Sequence, residues 1–202
     1  MKYSAIIFDL GGVLINLDYQ KTIRAFQELG VSNFEEMYNQ ASQTNLFNDF
    51  ETGQISAQRF INSLLDFVPV GTTPNKIVQA WNAMILDVPK NRLKLLHQLH
   101  EQFPVFLLSN TNELHVPAVR REWAKSTDLQ MEDYFNKIYF SHEINLRKPN
   151  QEIFEFVCNE QQLDKKTTLF IDDTLQHIEG AQIAGLQTFH LKDYSELFQI
   201  FS

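Results

Sequence analysis

The stretch "IIFDLGGVLINLD", Ile6 to Asp18, decides the fold. Apolar residues lead into a single carboxylate, Asp9, and Gly11 and Gly12 follow before a second apolar run begins. A short apolar run bounded by turn residues reads as a strand buried on both faces. Such strands belong to parallel sheets covered by helices. Four more runs of this kind follow, so strands are predicted at 4–8, 105–108, 137–140, 168–171 and 187–191. Helical patterns lie between the later ones. Pro89 suits a first helical turn, and Leu93, Leu96, Leu99 and Phe103 then share one face. Ile153, Phe154, Val157 and Leu163 make a second face; Ile178, Ala181 and Ile183 make a third, stopped by Gly185. Alternating strand and helix predicts an α/β fold, a doubly wound parallel sheet of Rossmann-like type.

One part of the chain does not alternate. From Tyr19 to Leu86 the periodicity is helical throughout. Tyr19, Ile23, Phe26 and Leu29 fit one helix closed by Gly30, and Phe34, Met37, Tyr38 and Ala41 fit a second. Ser56 is an N-cap for a third carrying Phe60, Leu64, Leu65 and Phe67; Ile77, Ala80, Trp81 and Met84 fit a fourth. The predicted division is therefore an α/β core of residues 1–16 and 88–202 with a four-helix insert at 17–87.

The totals narrow the function classes. The chain has 202 residues, 44% of them hydrophobic, with 17 phenylalanines to fill a core. Its net charge of -8, with nothing denser in Lys/Arg than Arg120-Arg121 or Lys165-Lys166, argues against a nucleic-acid partner. The single cysteine, Cys158, allows no intramolecular disulfide and no CxxC metal site; in "FEFVC" it reads as a small buried hydrophobe. No secretory pattern opens the chain, and no window reaches the ~18 apolar residues of a membrane span. A cytoplasmic protein, monomeric or weakly dimeric and free of membrane contact, is the expectation.

In open parallel sheets, ligands bind outside the carboxyl ends of the strands. The first predicted strand ends on Asp9, the second on Ser109 and Asn110, and the fourth on Asp172-Asp173. The third leads into "HEINLRKPN", which carries Lys148. Taken singly, a strand-end Asp is ordinarily a cap or turn residue, and Asp-Asp before Thr a solvated loop. Taken together, three carboxylates, a hydroxyl, an amide and an ammonium share one rim. Crowded carboxylates repel unless a cation sits among them. All-oxygen ligation suits Mg2+, which keeps several waters and bridges to phosphate. Lys148 is a point charge for the same phosphate. Ser109 and Asn110 can donate to its oxygens, and the glycines at 11 and 12 let backbone N–H groups approach it. The set reads as a phosphoryl-transfer site with Asp9 as nucleophile.

"FDLGGVL", "LLSN", "RKP" and "IDDT", in that order, resemble the four motifs of the haloacid dehalogenase-like hydrolases. The helical insert is placed like that family's cap, and "FETGQISAQRF", Phe50 to Phe60, is similar to a cap sequence of its sugar-phosphatase-like branch. The resemblance implies a magnesium-dependent phosphatase that acts on a small phosphomonoester, with a sugar phosphate foremost, through an aspartyl-phosphate. It implies Asp9 as nucleophile and metal ligand, with the Gly11 carbonyl and Asp172 as further ligands and Asp173 supporting the metal's waters. Ser109 and Lys148 would hold the phosphoryl oxygens.

Two departures stand out. Phosphatases of this superfamily mostly carry an acid/base Asp two residues after the nucleophile; here that position is Gly11. General acid–base help is worth about 10²–10⁴-fold, so a phosphometabolite-binding protein without turnover is one alternative. A 2-haloacid dehalogenase is another, opposed by the Asp172-Asp173 pair. The second departure is His177, which stands where the family often has Asn or Asp and reads as a hydrogen-bonding partner of the site. His97, His100 and His115 read as surface or half-buried helix histidines. Trp81 and Trp123 read as packing residues, with Trp81 placed on the insert where it could face a substrate.

Overall fold

A computed structural model describes residues 3–34, 36, 38–39 and 45–201. Five parallel strands form one sheet: β1 (Ala5–Phe8), β2 (Val105–Ser109), β3 (Lys137–Phe140), β4 (Thr168–Asp172) and β5 (Gln187–His190), in the order β3-β2-β1-β4-β5. The chain winds from β1 outward to β3, then returns to place β4 on β1's other side. The sheet's switch point thus falls between β1 and β4, where Phe8 pairs with Ile171. Ligand sites in such sheets form at that crevice.

Alternation along the strands makes two separate cores. Ile6 and Phe8 of β1 face one side, with Leu107, Leu169, Ile171 and Trp123. Ala5 and Ile7 face the other, with Phe106, Leu108, Phe154 and Phe170. The helices α5 (Lys90–His100) and α6 (His115–Ala124) cover the first face; α8 (Gln151–Glu160) and α9 (Leu175–Ala184) cover the second. Gly185 ends α9 at φ +96°, as a C-terminal glycine should. Ile183 is 72% exposed and belongs to neither core, a correction to the predicted face of that helix. A single turn, α7 (Ser141–Ile144), follows β3, and α10 (Tyr194–Gln199) closes the chain behind an Asp193 capping box.

Between β1 and α5 the named elements are all helical: α1 (Tyr19–Glu28), α2 (Leu46–Glu51), α3 (Ala57–Leu65) and α4 (Pro74–Asn82). Asp18 caps α1 by accepting from Gln20 N–H, and Ser56 caps α3 by accepting from Arg59 N–H at 3.3 Å. Phe34, Glu36, Tyr38 and Asn39 have helical backbone; Met37 and Ala41 of that predicted helix lie outside the described residues. The short helix α2 is an addition to the expected set. This segment has its own core, with Phe26, Phe50, Phe60, Leu64 and Ile77 at its centre. It joins the sheet unit through paired strands of chain at its root, where Leu17 bridges Ile85. Among the described residues, no helix is long and apolar enough to cross a membrane.

Candidate active site

The ends of β1 and β4 place two carboxylates side by side. Asp9 follows β1 directly, and its N–H donates to the Ile171 carbonyl at 2.9 Å. Asp172 is the last residue of β4. Lys148 stands between them, donating to Asp9 Oδ1 at 2.5 Å and to Asp172 Oδ2 at 2.6 Å. Lys148 and Asp172 are fully buried, and Asp9 is 7% exposed. Buried charges are tolerable only when paired, and this triad satisfies that condition with one cation for two anions. The residual imbalance shows in the proton affinities. Burial pushes the Asp9 carboxyl up to about 7, against the pull of Lys148. Burial opposes the charge on Asp172 too, but Lys148 and His177 outweigh it and hold that carboxyl at about 2. Burial likewise opposes the charge on Lys148, yet the two carboxylates keep its ammonium above the usual range.

Asp173, exposed beside them, completes an acidic cluster. One oxygen from each of Asp9, Asp172 and Asp173 lies within 4.8 Å of the others. Gly12 makes room for it: with φ +73°, a Cβ there would sit 2.0 Å from Asp173 Oδ2. That spacing of three hard oxygens fits a small divalent cation such as Mg2+. Gly11 borders the same cavity, next to Asp9.

The remaining predicted residues are placed as follows. Ser109 ends β2, is buried, and lines the cavity at Asp9. Asn110 also borders it, but its amide is engaged on both sides: Nδ2 donates to the Lys148 carbonyl at 2.8 Å, and Oδ1 accepts from Lys148 N–H at 2.9 Å. Asn110 therefore braces Lys148. Gly12 serves Asp173 in the same indirect way. His177 Nδ1 donates to both Asp172 oxygens, at 3.0 and 3.1 Å, so its partner is the β4 carboxylate.

Other residues of the site carry no individual role in the sequence reading. Arg147 pairs with Glu51 at 2.9 Å and donates to Asn48 Oδ1 at 3.1 Å, tying the helical segment to the residue before Lys148. Gly53 (φ +68°) approaches the His142 carbonyl so closely that a Cβ would lie 2.2 Å from it, and Asn145 Nδ2 donates to the Thr52 carbonyl. The "ETG" of Glu51–Gly53 is thus a docking turn. His115 was read as an ordinary helix histidine, but it borders the cavity. Its ring stacks on Trp81 at 5.2 Å and 4°, and Nδ1 donates to Asn82 Oδ1 at 2.7 Å. A signal was available: Asn112, three residues earlier, accepts from the N–H groups of Leu114 and His115 and starts the helix.

The cavity these residues border holds about 810 Å3 and runs from the carboxylates to the helical segment. A buried lysine between strand-end carboxylates, a third carboxylate beside them, and a helical insert roofing the cavity make one constellation, and the chain matches the family described as haloacid dehalogenase-like hydrolase over residues 3–185. The chain belongs to that family. It is 33% identical to the D-ribitol-5-phosphate phosphatase of Bacteroides thetaiotaomicron, over 91% of this chain and 89% of that protein. The crystal structure of a HAD family enzyme from the same organism, in complex with magnesium and inorganic phosphate, superposes with a TM-score of 0.88. It is 36% identical and covers 97% of this chain and 99% of its own. A predicted HAD-like hydrolase from Porphyromonas gingivalis, 26% identical over the whole of both chains, gives a TM-score of 0.86. This protein is accordingly a hydrolase of the haloacid dehalogenase-like type.

Proposed function

We propose that the protein hydrolyses a small phosphomonoester, with a sugar phosphate the foremost candidate, by way of an aspartyl-phosphate on Asp9. The observation that carries this reading is the Asp9–Lys148–Asp172 triad at the sheet's switch point, with Asp173 beside it. Asp9, Asp172, Asp173 and the Gly11 carbonyl would hold Mg2+, which supplies charge neutralisation for the phosphoryl oxygens. A relative that acts on a pentitol phosphate, and a solved relative that holds magnesium and phosphate, support both assignments.

In this reading Asp9 attacks phosphorus, the bond to the alcohol oxygen breaks, and the alcohol leaves with its electron pair. Water then attacks the phosphoryl group, and the P–O bond to Asp9 breaks to release inorganic phosphate and restore the carboxylate. Lys148 pulls Asp9 toward its ionised form against the effect of burial and faces the phosphoryl oxygens, and Ser109 donates to them. Residues 17–87 act as the cap on a core of 1–16 and 88–202, excluding water during transfer. The testing experiment is phosphate release across a panel of phosphate esters, with magnesium and with chelator, for wild type and Asp9→Asn. Magnesium-dependent release that the variant loses is expected. Release by Asp9→Asn at the wild-type rate would remove Asp9 from the nucleophile's role.

A further inference from the structure

Two polar side chains of the helical segment border the cavity without being used up by the fold. Tyr19, the first residue of α1, is 62% exposed, and its hydroxyl bonds no described residue. The ring is open to the cavity but enclosed by protein. Burial therefore pushes its phenol up to about 12, and the charges of Asp173, Asp9 and Glu51 add to that effect. At neutral pH the phenol keeps its proton, a hydrogen-bond donor within electrostatic reach of the nucleophile. Glu51, the last residue of α2, borders the same cavity. Its Oε2 is buried 2.9 Å from Arg147 Nη2 and takes no hydrogen bond there. Its Oε1 is neither buried nor bonded to a described residue. Burial raises this carboxyl against the pull of Arg147, His177 and Lys148, so Glu51 also lies within reach of the triad's cation.

The chemistry of the pair selects what can lie between them. A protonated phenol has a proton to give, and a carboxylate can only accept. An ammonium brings donors alone and leaves the phenol proton without an acceptor. Arg147 already stands against the Glu51 charge, so no further cation is called for. A second phosphate or a carboxylate would meet Glu51 as a like charge. A hydroxyl both donates and accepts, so a polyol meets both groups at once. Two buried donors of the same wall, Trp81 Nε1 and Arg147 Nε, bond nothing among the described residues. They favour a ligand that brings several acceptor oxygens.

We propose that Tyr19 and Glu51 determine specificity by reading the hydroxyls beside the phosphoester, Tyr19 donating and Glu51 accepting, and so select a polyol phosphate over the deoxy ester of the same length. The proposal rests on the phosphatase reading above and names the feature of the alcohol that is recognised. Position supports the link, because the cavity at these side chains is continuous with Asp9 and Ser109. Glu51 thus serves docking through Oε2 and the ligand through Oε1.

The test is equilibrium binding of two phosphonates to the full chain, with magnesium, by calorimetry. One is a dihydroxybutylphosphonate whose hydroxyls stand as in a glycerol phosphate; the other is n-butylphosphonate. Neither can be turned over. Wild type should bind the diol about 10–100-fold more tightly, the range for hydrogen bonds that involve a charged partner. Tyr19→Phe and Glu51→Gln should each remove most of that ratio. Tyr19→Phe deletes a hydroxyl that no described residue bonds, so it should fold as wild type does. Glu51→Gln keeps an oxygen for Arg147 and turns the other acceptor into a donor. A ratio near one in wild type, or a ratio unchanged in either variant, overturns the proposal. Phosphate release from the glycerol phosphate itself separates the two readings. Turnover with a ratio near one rejects the hydroxyl reading alone. A ratio that Tyr19→Phe removes, without turnover, rejects the phosphatase reading and leaves the hydroxyl reading standing.

Discussion

Asn110 and Lys148 hold each other by a reciprocal pair of hydrogen bonds, amide against peptide, at 2.8 and 2.9 Å. The end of β2 thereby fixes the backbone of the residue that bridges Asp9 and Asp172. Asn110→Ala removes both bonds and leaves the Lys148 peptide to find other partners. We expect kcat to fall by about 10–100-fold, the usual cost of losing a group that orients a site residue, with a smaller change in KM. Asn110→Asp, which keeps the acceptor and loses the donor, should recover part of the loss. Steady-state kinetics on the three proteins checks this; an unchanged kcat in Asn110→Ala would show that Lys148 needs no brace.

Among the described residues Lys148 is the one side chain that bonds both Asp9 and Asp172, while His177 bonds Asp172 alone. Lys148→Ala leaves two buried carboxylates facing one another. Removing one partner from a buried ion pair costs about 3–5 kcal/mol, so a large drop in denaturation midpoint is expected along with lost activity. Because carboxylate repulsion causes the drop, lowering the pH or adding magnesium should restore part of the stability. Lys148→Arg should rescue little, since a planar fork does not replace a compact ammonium in a filled space. A Lys148→Ala protein as stable as wild type at neutral pH contradicts the pairing.

His115 couples stability to pH. Its folded pKa of about 4 lies below the ordinary 6.5 because burial disfavours the charged ring. Between those values the unfolded chain binds a proton that the folded chain refuses. The stabilisation is therefore complete above pH 6.5 and is lost as pH falls toward 4. The His115 side chain is only partly buried, so the loss at pH 4.5 should be on the order of 2 kcal/mol. His115→Phe keeps the stack on Trp81 and removes the titration. Denaturant unfolding at pH 7 and pH 4.5 should show a smaller pH-dependent loss for the variant; parallel losses would rule His115 out as the source.

In the proposed phosphatase reading, Gly11 stands where an acid would assist the departing alcohol. Its φ is outside the left-handed region, and a Cβ there would meet Leu17 Cδ1 at 2.6 Å, the movable end of a side chain. Gly11→Asp, alone or with Leu17→Ala, should therefore fold. With no acid at this position, the wild type should favour esters of acidic alcohols, and the added carboxyl should help alkyl esters more than aryl ones. Rates over a leaving-group series give the answer. A wild-type rate indifferent to leaving-group acidity would show that another residue already supplies the proton.

The three central strands were legible because each is a short, almost wholly apolar run, and burial on both faces leaves no other reading for such a run; the edge strand Gln187–His190, largely polar and only partly buried, was placed by the glycine before it and the alternation of elements. The rim followed from it, since parallel strands bring their ends to one edge whatever lies between them in sequence. His115 was placed on a helix, but the extent of that helix, His115–Ala124, was not drawn, because Pro117, harmless in a first turn, looks like a break. Tyr19 fitted the apolar face of α1, yet it is 62% exposed and lines the cavity. Periodicity identifies a face but not what covers it. The Arg147–Glu51 pair and the Trp81–His115 stack join residues 96 and 34 positions apart, beyond the reach of any local pattern.

The meeting of Gly53 with the His142 carbonyl has a consequence for recombination. Helical inserts look interchangeable when joined only at the root, here where Leu17 bridges Ile85. A further seam exists, a turn of the insert seated against core backbone and fastened by Asn145 and Arg147. A transplanted insert without a glycine at that turn would be propped away from the sheet unit by a single methyl group, with both connections intact and Asp9 left open to water.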